Sequence, residues 1–348
     1  MGFNKGEWSE LYAFLYLMDN PKLVIVDENL EPMKEEVFKI LEIITKNSLY
    51  KIGDNSIVKI SQSKESRHKV NCIAQNTQLL LQKILAHKKS KGSFQIEELD
   101  AIIDTLFEGK KPKGASKIKG DLEAKVLDNS QKRVIHLSYN IKSNLGSSAT
   151  LLNASRHTNF IYELSNINDK IMNETNAING RKKLLQRCYF LEDKKAKIKF
   201  IKVESDAFAY NLKMVDSKLN EILANMLYLS YHQNEKDIKR LIELSVESQD
   251  EYNFYKKKIV DFTNAVTFGM RASEKWNGKN EVNGGILLVN KEGEVYLLDL
   301  IYFKDIVDKY LIDNIKLESP SSSRYKMFEI YKENGKYYFK LNLQIRFK

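Results

Sequence analysis

Three observations predict an α+β fold: helical periodicity at the N-terminus, a mostly helical middle from Ile167 to Phe268, and strand pairs with tight-turn sequences on either side of it. Residues 5–18 read as a helix because Trp8, Leu11, Leu15 and Met18 recur at helical spacing. Leu23–Asp27 reads as a short strand or an extended link. Val37, Ile40, Leu41 and Ile44 predict a helix over 35–47, Leu79, Leu80 and Ile84 another over 76–87, and 97–106 makes a third, short one. The Gly/Lys-rich run GKKPKGASKIKG, residues 109–120, breaks this pattern and reads as a linker.

After the linker comes a hairpin, then a short helix over 150–155 and a strand over 158–164. Lys218–Tyr231 and Asp237–Phe268 are the longest helical segments, and their apolar residues recur as a core stripe does. Gly285–Val289 and Glu294–Leu298 flank the turn Asn290-Lys291-Glu292-Gly293, and Phe303–Asp313 reads as helix. Phe328–Lys332 and Tyr337–Arg346 flank an Asn334-Gly335 turn.

The hairpin over residues 121–142 carries the chemistry. Its polar turn, Asp128 to Arg133, centres near Ser130–Gln131. Side chains alternate along a strand, so Ile135, Leu137, Tyr139 and Ile141 share one face and His136, Ser138, Asn140 and Lys142 the other. The turn sets Asp121 opposite or diagonal to Asn140, and facing residues sit roughly 4.5–5.5 Å apart at Cβ. Asp121, Asn140 and Lys142 then gather at one end. An Asp beside a polar-x-Lys triplet is the layout of a metal-dependent phosphodiesterase centre. The carboxylate and the amide oxygen are hard ligands suited to Mg²⁺, and the lysine orients a water or stabilises developing charge. The same three residue types are also ordinary on the wet face of a hairpin.

Three blocks of sequence carry a family resemblance: FNKGEWSELYAFLYLM, YNIKSNLGSSATLLNASRHTNFIYEL and SPSSSRYKMFEIYKENGKYYFKLNLQIRF. They resemble the HpaII family of type II restriction endonucleases in residues and in order. The resemblance implies a mixed-sheet nuclease core of PD-(D/E)xK type, with N-terminal helices and a large helical insertion. It implies Mg²⁺ as cofactor and double-stranded DNA as substrate, cut at a short specific site, CCGG by family analogy. It makes Asp121 the metal-binding aspartate and Lys142 the lysine of the motif. Asn140 departs from the wider signature, where an acid is usual, and Gly120 stands where a proline is usual. The missing acid has four candidates: Glu10 first, on the N-terminal helix, then Glu7 beside it, Glu123 on the Asp121 face of its strand, and Glu163.

Four regions follow: 1–115, mostly helical with the first core helix; 116–165, the hairpin and core strands; 166–280, helical; and 281–348, strand-rich, completing the sheet or contacting DNA. Ser143, Asn144, Ser147, Asn153, Arg156 and Arg324 are the candidate DNA contacts, being small polar or arginine residues within the second and third blocks. The linker lysines either touch phosphates or are solvated.

Composition agrees with a polyanionic partner without requiring one. Lys and Arg total 56 against 46 acidic residues, a net charge of +10 over 348 residues. Two distant cysteines, Cys72 and Cys188, offer no zinc spacing and fit a reducing compartment. The sequence has no apolar run of membrane-spanning length and no leader-like N-terminus, so the expected location is the cytoplasm. A homodimer would match a symmetric site, and a cognate DNA methyltransferase belongs to such a system without implied physical contact. The competing readings are a DNA-binding protein of nuclease-like fold without cleavage, which Asn140 keeps open, and an interaction protein built on the helical middle. Retardation of DNA without cutting marks the first, and no DNA binding at low salt marks the second.

Overall fold

The computed structural model describes residues 2–61, 64–87, 92–109, 120–146, 148–321 and 325–348. Contacts divide the chain into two compact units, residues 1–149 with 280–310, and residues 150–279 with 311–348. The segment expected over 116–165 is thus shared between the two.

In the first unit, helix α1 (Lys5–Asp19) begins at a capping box. The Asn4 side chain accepts the Glu7 N–H at 3.0 Å and Glu7 accepts the Asn4 N–H at 2.9 Å. Its inner face buries Trp8, Leu11, Leu15 and Met18, as the spacing predicted. Strands β1 (Lys22–Val26), β2 (Pro32–Ile44), β3 (Leu122–Asp128), β4 (Arg133–Ser143), β5 (Gly285–Val289) and β6 (Val295–Asp299) belong to a nine-stranded sheet. Their order is β1-β6-β5-β4-β3-β2, and β1 also pairs with β2, so these strands close into a ring. Leu49–Ile52, Ser56–Ser61 and Lys64–Lys69 extend the sheet beyond β2. The helix α1 and the sheet residues Leu23, Ile40, Ala124, Tyr139, Leu287 and Leu297 belong to one apolar core.

Two expectations fail here. Of the helix expected over 35–47, residues as far as Ile44 belong to the long strand β2. The apolar spacing over 37–44 imitates a helix because a register shift lies between Ile40 and Glu42, so the inward residues run Phe38, Ile40, Ile43 rather than strictly alternating. The first 115 residues are accordingly richer in strand than expected, although helices Val70–Ala86 and Asp100–Phe107 are present.

The second unit combines helices Asp169–Ala177, Lys183–Asp193, Asp206–Val215, Leu219–His232, Ile238–Leu244 and Gln249–Phe268 with two sheets. One orders Lys197–Val203, Asn159–Ser165, Lys336–Asn342 and Tyr331–Glu333. The other orders Thr150–Leu152, Ile345–Phe347 and Ile315–Leu317. Where a helix was expected over 150–155, Thr150–Leu152 is strand and 153–155 is irregular, and a strand at Lys197–Val203 interrupts the stretch expected to be mostly helical. The expected 237–268 helix is two, parted where Ser248 caps the second. The Asn334-Gly335 turn has φ of 49° and 78°, the left-handed pair that a two-residue hairpin of this hand requires.

Where β5 meets β4, two glycines permit close approach. A Cβ at Gly284 would lie 2.4 Å from the Tyr139 ring, and one at Gly285, whose φ is +121°, would lie 2.1 Å from the Leu298 carbonyl oxygen. Gly285→Ala is expected to cost on the order of 3 kcal/mol, from backbone strain plus overpacking. A denaturant midpoint unchanged from the parent would contradict this packing.

Candidate active site

The β3–β4 pairing sets the geometry. Leu122 faces Tyr139, Glu123 faces Ser138 and Ala124 faces Leu137, a register centred on the predicted turn. Continuing it one step sets Asp121 across from Asn140. Two backbone-linked bonds fix that end: the Asp121 N–H donates to the Tyr139 carbonyl at 2.8 Å, and the Asp121 Oδ2 accepts the Ile141 N–H at 2.8 Å. The carboxylate is thereby oriented by the strand that carries Asn140 and Lys142.

Alternation divides the faces as the sequence predicted. Leu122, Ala124, Leu137, Tyr139 and Ile141 join the apolar core with α1. Asp121, Glu123, Ser138, Asn140 and Lys142 fall on the other face by register. Asn140 and Glu123 are each only 4% exposed, while Asp121 and Lys142 are half-buried. Lys142 makes no ion pair among the described residues. On its far side β4 runs parallel to β5, with Asn140 beside Ile286 and Lys142 beside Leu288. Ser138 is pinned to the segment before β5: its N–H donates to Asn283 Oδ1 at 2.8 Å and its hydroxyl to the Glu281 carbonyl at 2.9 Å. Behind the site, burial pushes the Tyr139 hydroxyl well above its ordinary pKa, and the Asp299 carboxylate adds to the shift. It therefore stays neutral and inert.

The candidate acids separate on this geometry. Glu7 closes the α1 cap. Glu10 is half-buried on α1, the helix packed on the apolar face of the hairpin. Glu163 lies in the second unit and pairs with Lys336 at 3.1 Å. Glu123 is buried two residues from Asp121 on the same face, and His136 Nε2 lies 3.5 Å from its carboxylate. His136 faces Lys125, so it lies two residues along the same face from Ser138, the residue opposite Glu123.

Among the candidate DNA contacts, Ser143 ends β4, and its Oγ accepts the Leu145 N–H at 3.1 Å. Asn144 continues the ladder by donating its N–H to the Val289 carbonyl at 2.9 Å. In the second unit Asn153 and Arg156 are exposed, Arg156 on a single helical turn capped by Ser155. Ser147, Arg324 and linker residues 110–119 lie outside the described residues.

Among the described residues no group of three or more His, Cys, Asp or Glu could hold a metal ion. The donor set at the hairpin end is one or two carboxylates and an amide oxygen. That set suits a hard cation that keeps several of its waters, as Mg²⁺ does, and does not suit zinc, which takes nitrogen and sulfur in closed tetrahedra.

The family model for the HpaII restriction endonuclease matches residues 4–347 of this chain. The protein described as type II restriction enzyme HpaII, from Haemophilus parainfluenzae, is 35% identical over 360 aligned positions, spanning 99% of this chain and 98% of that protein. No solved structure matches. Among the described residues no helix is long and apolar enough to cross a membrane.

Paired substitutions test the choice of acid. Glu123→Gln is expected to lower the rate of metal-dependent DNA cutting on the order of 10–100-fold, with Glu10→Gln within about threefold of the parent. The reverse ranking in a timed digest would move the missing carboxylate to α1.

Proposed function

Because the chain belongs to the HpaII restriction endonuclease family, a family of type II enzymes that cleave double-stranded DNA at specific sequences, we propose that Asp121, Asn140, Glu123 and Lys142 form its cleavage centre, in a core of PD-(D/E)xK type. The observation that carries this is the register that sets Asp121 across from Asn140, with the Asp121 carboxylate held by the Ile141 N–H.

Hydrolysis of a phosphodiester needs an activated water and a counter to the charge that builds on the phosphoryl oxygens. A Mg²⁺ ion bound there would lower the pKa of a water and offset that charge. Asp121 and the Asn140 amide oxygen would hold it, with Glu123 as the further carboxylate. Asp121 can present a fixed oxygen because the Ile141 N–H already occupies the other. Lys142, two residues along the same strand face, orients the attacking water or stabilises the developing charge. An amide at position 140 adds no negative charge, so the second carboxylate has to come from Glu123, and Glu123→Gln is expected to raise the Mg²⁺ concentration that half-maximal cutting requires.

The proposed target is CCGG, by analogy with the family's namesake. A palindromic target is cut on both strands most simply by a two-fold homodimer. Ser143 and Asn144, which follow Lys142 directly, and Asn153, Arg156, Ser147 and Arg324 are the proposed contacts to DNA. Arginine there can bind guanine in bidentate fashion. The enzyme is proposed to act in the cytoplasm, beside a methyltransferase that protects the same sites.

Lys142→Ala and Asp121→Ala are each expected to lower cutting of a mapped plasmid by at least about 10²–10³-fold, while a gel-shift on target duplex in Ca²⁺ retains binding within about tenfold for Lys142→Ala. End-sequencing of the digest reads the site. Fragments cut at full rate by both variants would remove this centre. Binding with no cutting by the parent chain in Mg²⁺ or Mn²⁺ would favour the binding-only reading.

A further inference from the structure

The four-stranded sheet of the second unit has two unlike faces. One carries Phe160, Tyr162, Leu164 and Phe339 and is buried; the Tyr162 hydroxyl donates to the Ala224 carbonyl of helix Leu219–His232 at 2.7 Å. The register sets a different group on the opposite face. Glu163 lies between Lys199 and Tyr338, Ile161 between Lys202 and Lys340, Ser165 beside Lys197, and Glu333 beside Lys336. Five lysines and the acids Glu163, Glu204 and Glu333 therefore share this face.

The ion pairs on it are unevenly spread. Lys336 is 3.1 Å from Glu163, and Lys340 pairs with Glu204. Lys197, Lys199 and Lys202 are exposed and make no ion pair among the described residues. They come from a single edge strand, Lys197–Val203, with a register shift beside Ile201 that turns Lys202 to the same side as Lys199. Strand residues two apart are separated by about 6.6 Å, which suits successive phosphates along one nucleic-acid strand. Lysines on an edge strand also discourage pairing with another chain, but that needs no shared face with Lys336 and Lys340.

We infer that this lysine face binds the sugar–phosphate backbone of double-stranded DNA, independently of sequence. The choice of duplex rests on the cleavage reading above; the surface itself rests on the register and on the exposed Lys197, Lys199 and Lys202, of which Lys202 also feels the Glu204 carboxylate. Contacts of this kind release condensed counterions, so they appear in the salt dependence of binding.

The test uses the full-length protein and a duplex without CCGG. For the variant Lys197→Gln/Lys199→Gln/Lys202→Gln, the slope of log affinity against log salt should fall in magnitude by roughly 2–3, at about 0.9 per lost phosphate contact. Cutting of a short target duplex should stay within about threefold. Lys256→Gln, an exposed lysine on helix Gln249–Phe268, should leave the slope unchanged. If the triple variant does not fold, Lys199→Gln alone should lower the slope by about 0.9. An unchanged slope overturns the inference, and self-association of the variant with an unchanged slope would make the lysines edge guards instead. Full cutting by Lys142→Ala would sink the cleavage centre and leave this slope where it is, so the two failures are distinguishable.

Discussion

The hydrogen bond from the Ile141 N–H to the Asp121 carboxylate ties the proposed cleavage centre to the backbone. It joins the residue just before β3 to the strand carrying Asn140 and Lys142, and it can form only in the register centred on the Ser130–Gln131 turn. A slip of one residue would turn Asn140 and Lys142 inward and expel Tyr139 and Ile141. The apolar face prevents that slip. Leu122, Ala124, Leu137, Tyr139 and Ile141 are buried in the α1 core, and burial of Leu122, Leu137 and Ile141 is worth roughly 1.5–3 kcal/mol each. Packing on one side of the sheet thus holds the polar groups in place on the other.

The neighbours of β4 add to the same constraint. Gly284 and Gly285 allow β5 to approach Tyr139 and Leu298 more closely than any other residue would permit. Asn283 and Glu281 hold Ser138, two residues before Asn140. On the other side Asp128 accepts the N–H groups of Ser130 and Gln131 and the Tyr302 hydroxyl, which fixes the turn end of the hairpin. The middle of β4 and the turn end of β3 are therefore anchored by parts of the chain more than a hundred residues away in sequence. The fold commits long-range contacts to a short hairpin, as expected where a functional group must be held to a fraction of an ångström.

The hairpin was legible from sequence because a polar turn and strict alternation determine register without any tertiary information. The N-terminal helix was legible from Trp8, Leu11, Leu15 and Met18 for the same reason, with a period of 3.6 in place of 2. Strand β2 was misread because its bulge near Ile40 mixes the two periods. Lys197–Val203 was missed because the register shift at Ile201 cuts its alternation to Lys197-Ile198-Lys199-Phe200 and helices flank it on both sides. The ring closure of β1 on β2 has no local signature, since it depends on which distant edges meet. The acid accompanying Asp121 stayed open among four residues. The proposal of Glu123 draws on facts no local pattern contains: Glu7 caps a helix, Glu163 is paired and Glu123 is buried.

The central claim is that Asp121 and Asn140 together present oxygens to one divalent cation. Anomalous diffraction from crystals of the enzyme with target duplex and Mn²⁺ tests it most directly. The account predicts a manganese peak within about 2–2.5 Å of an Asp121 carboxylate oxygen and the Asn140 amide oxygen, with the Lys142 ammonium on the same side of the strand. A peak held by other carboxylates, with Asp121 turned away from it, would contradict the account.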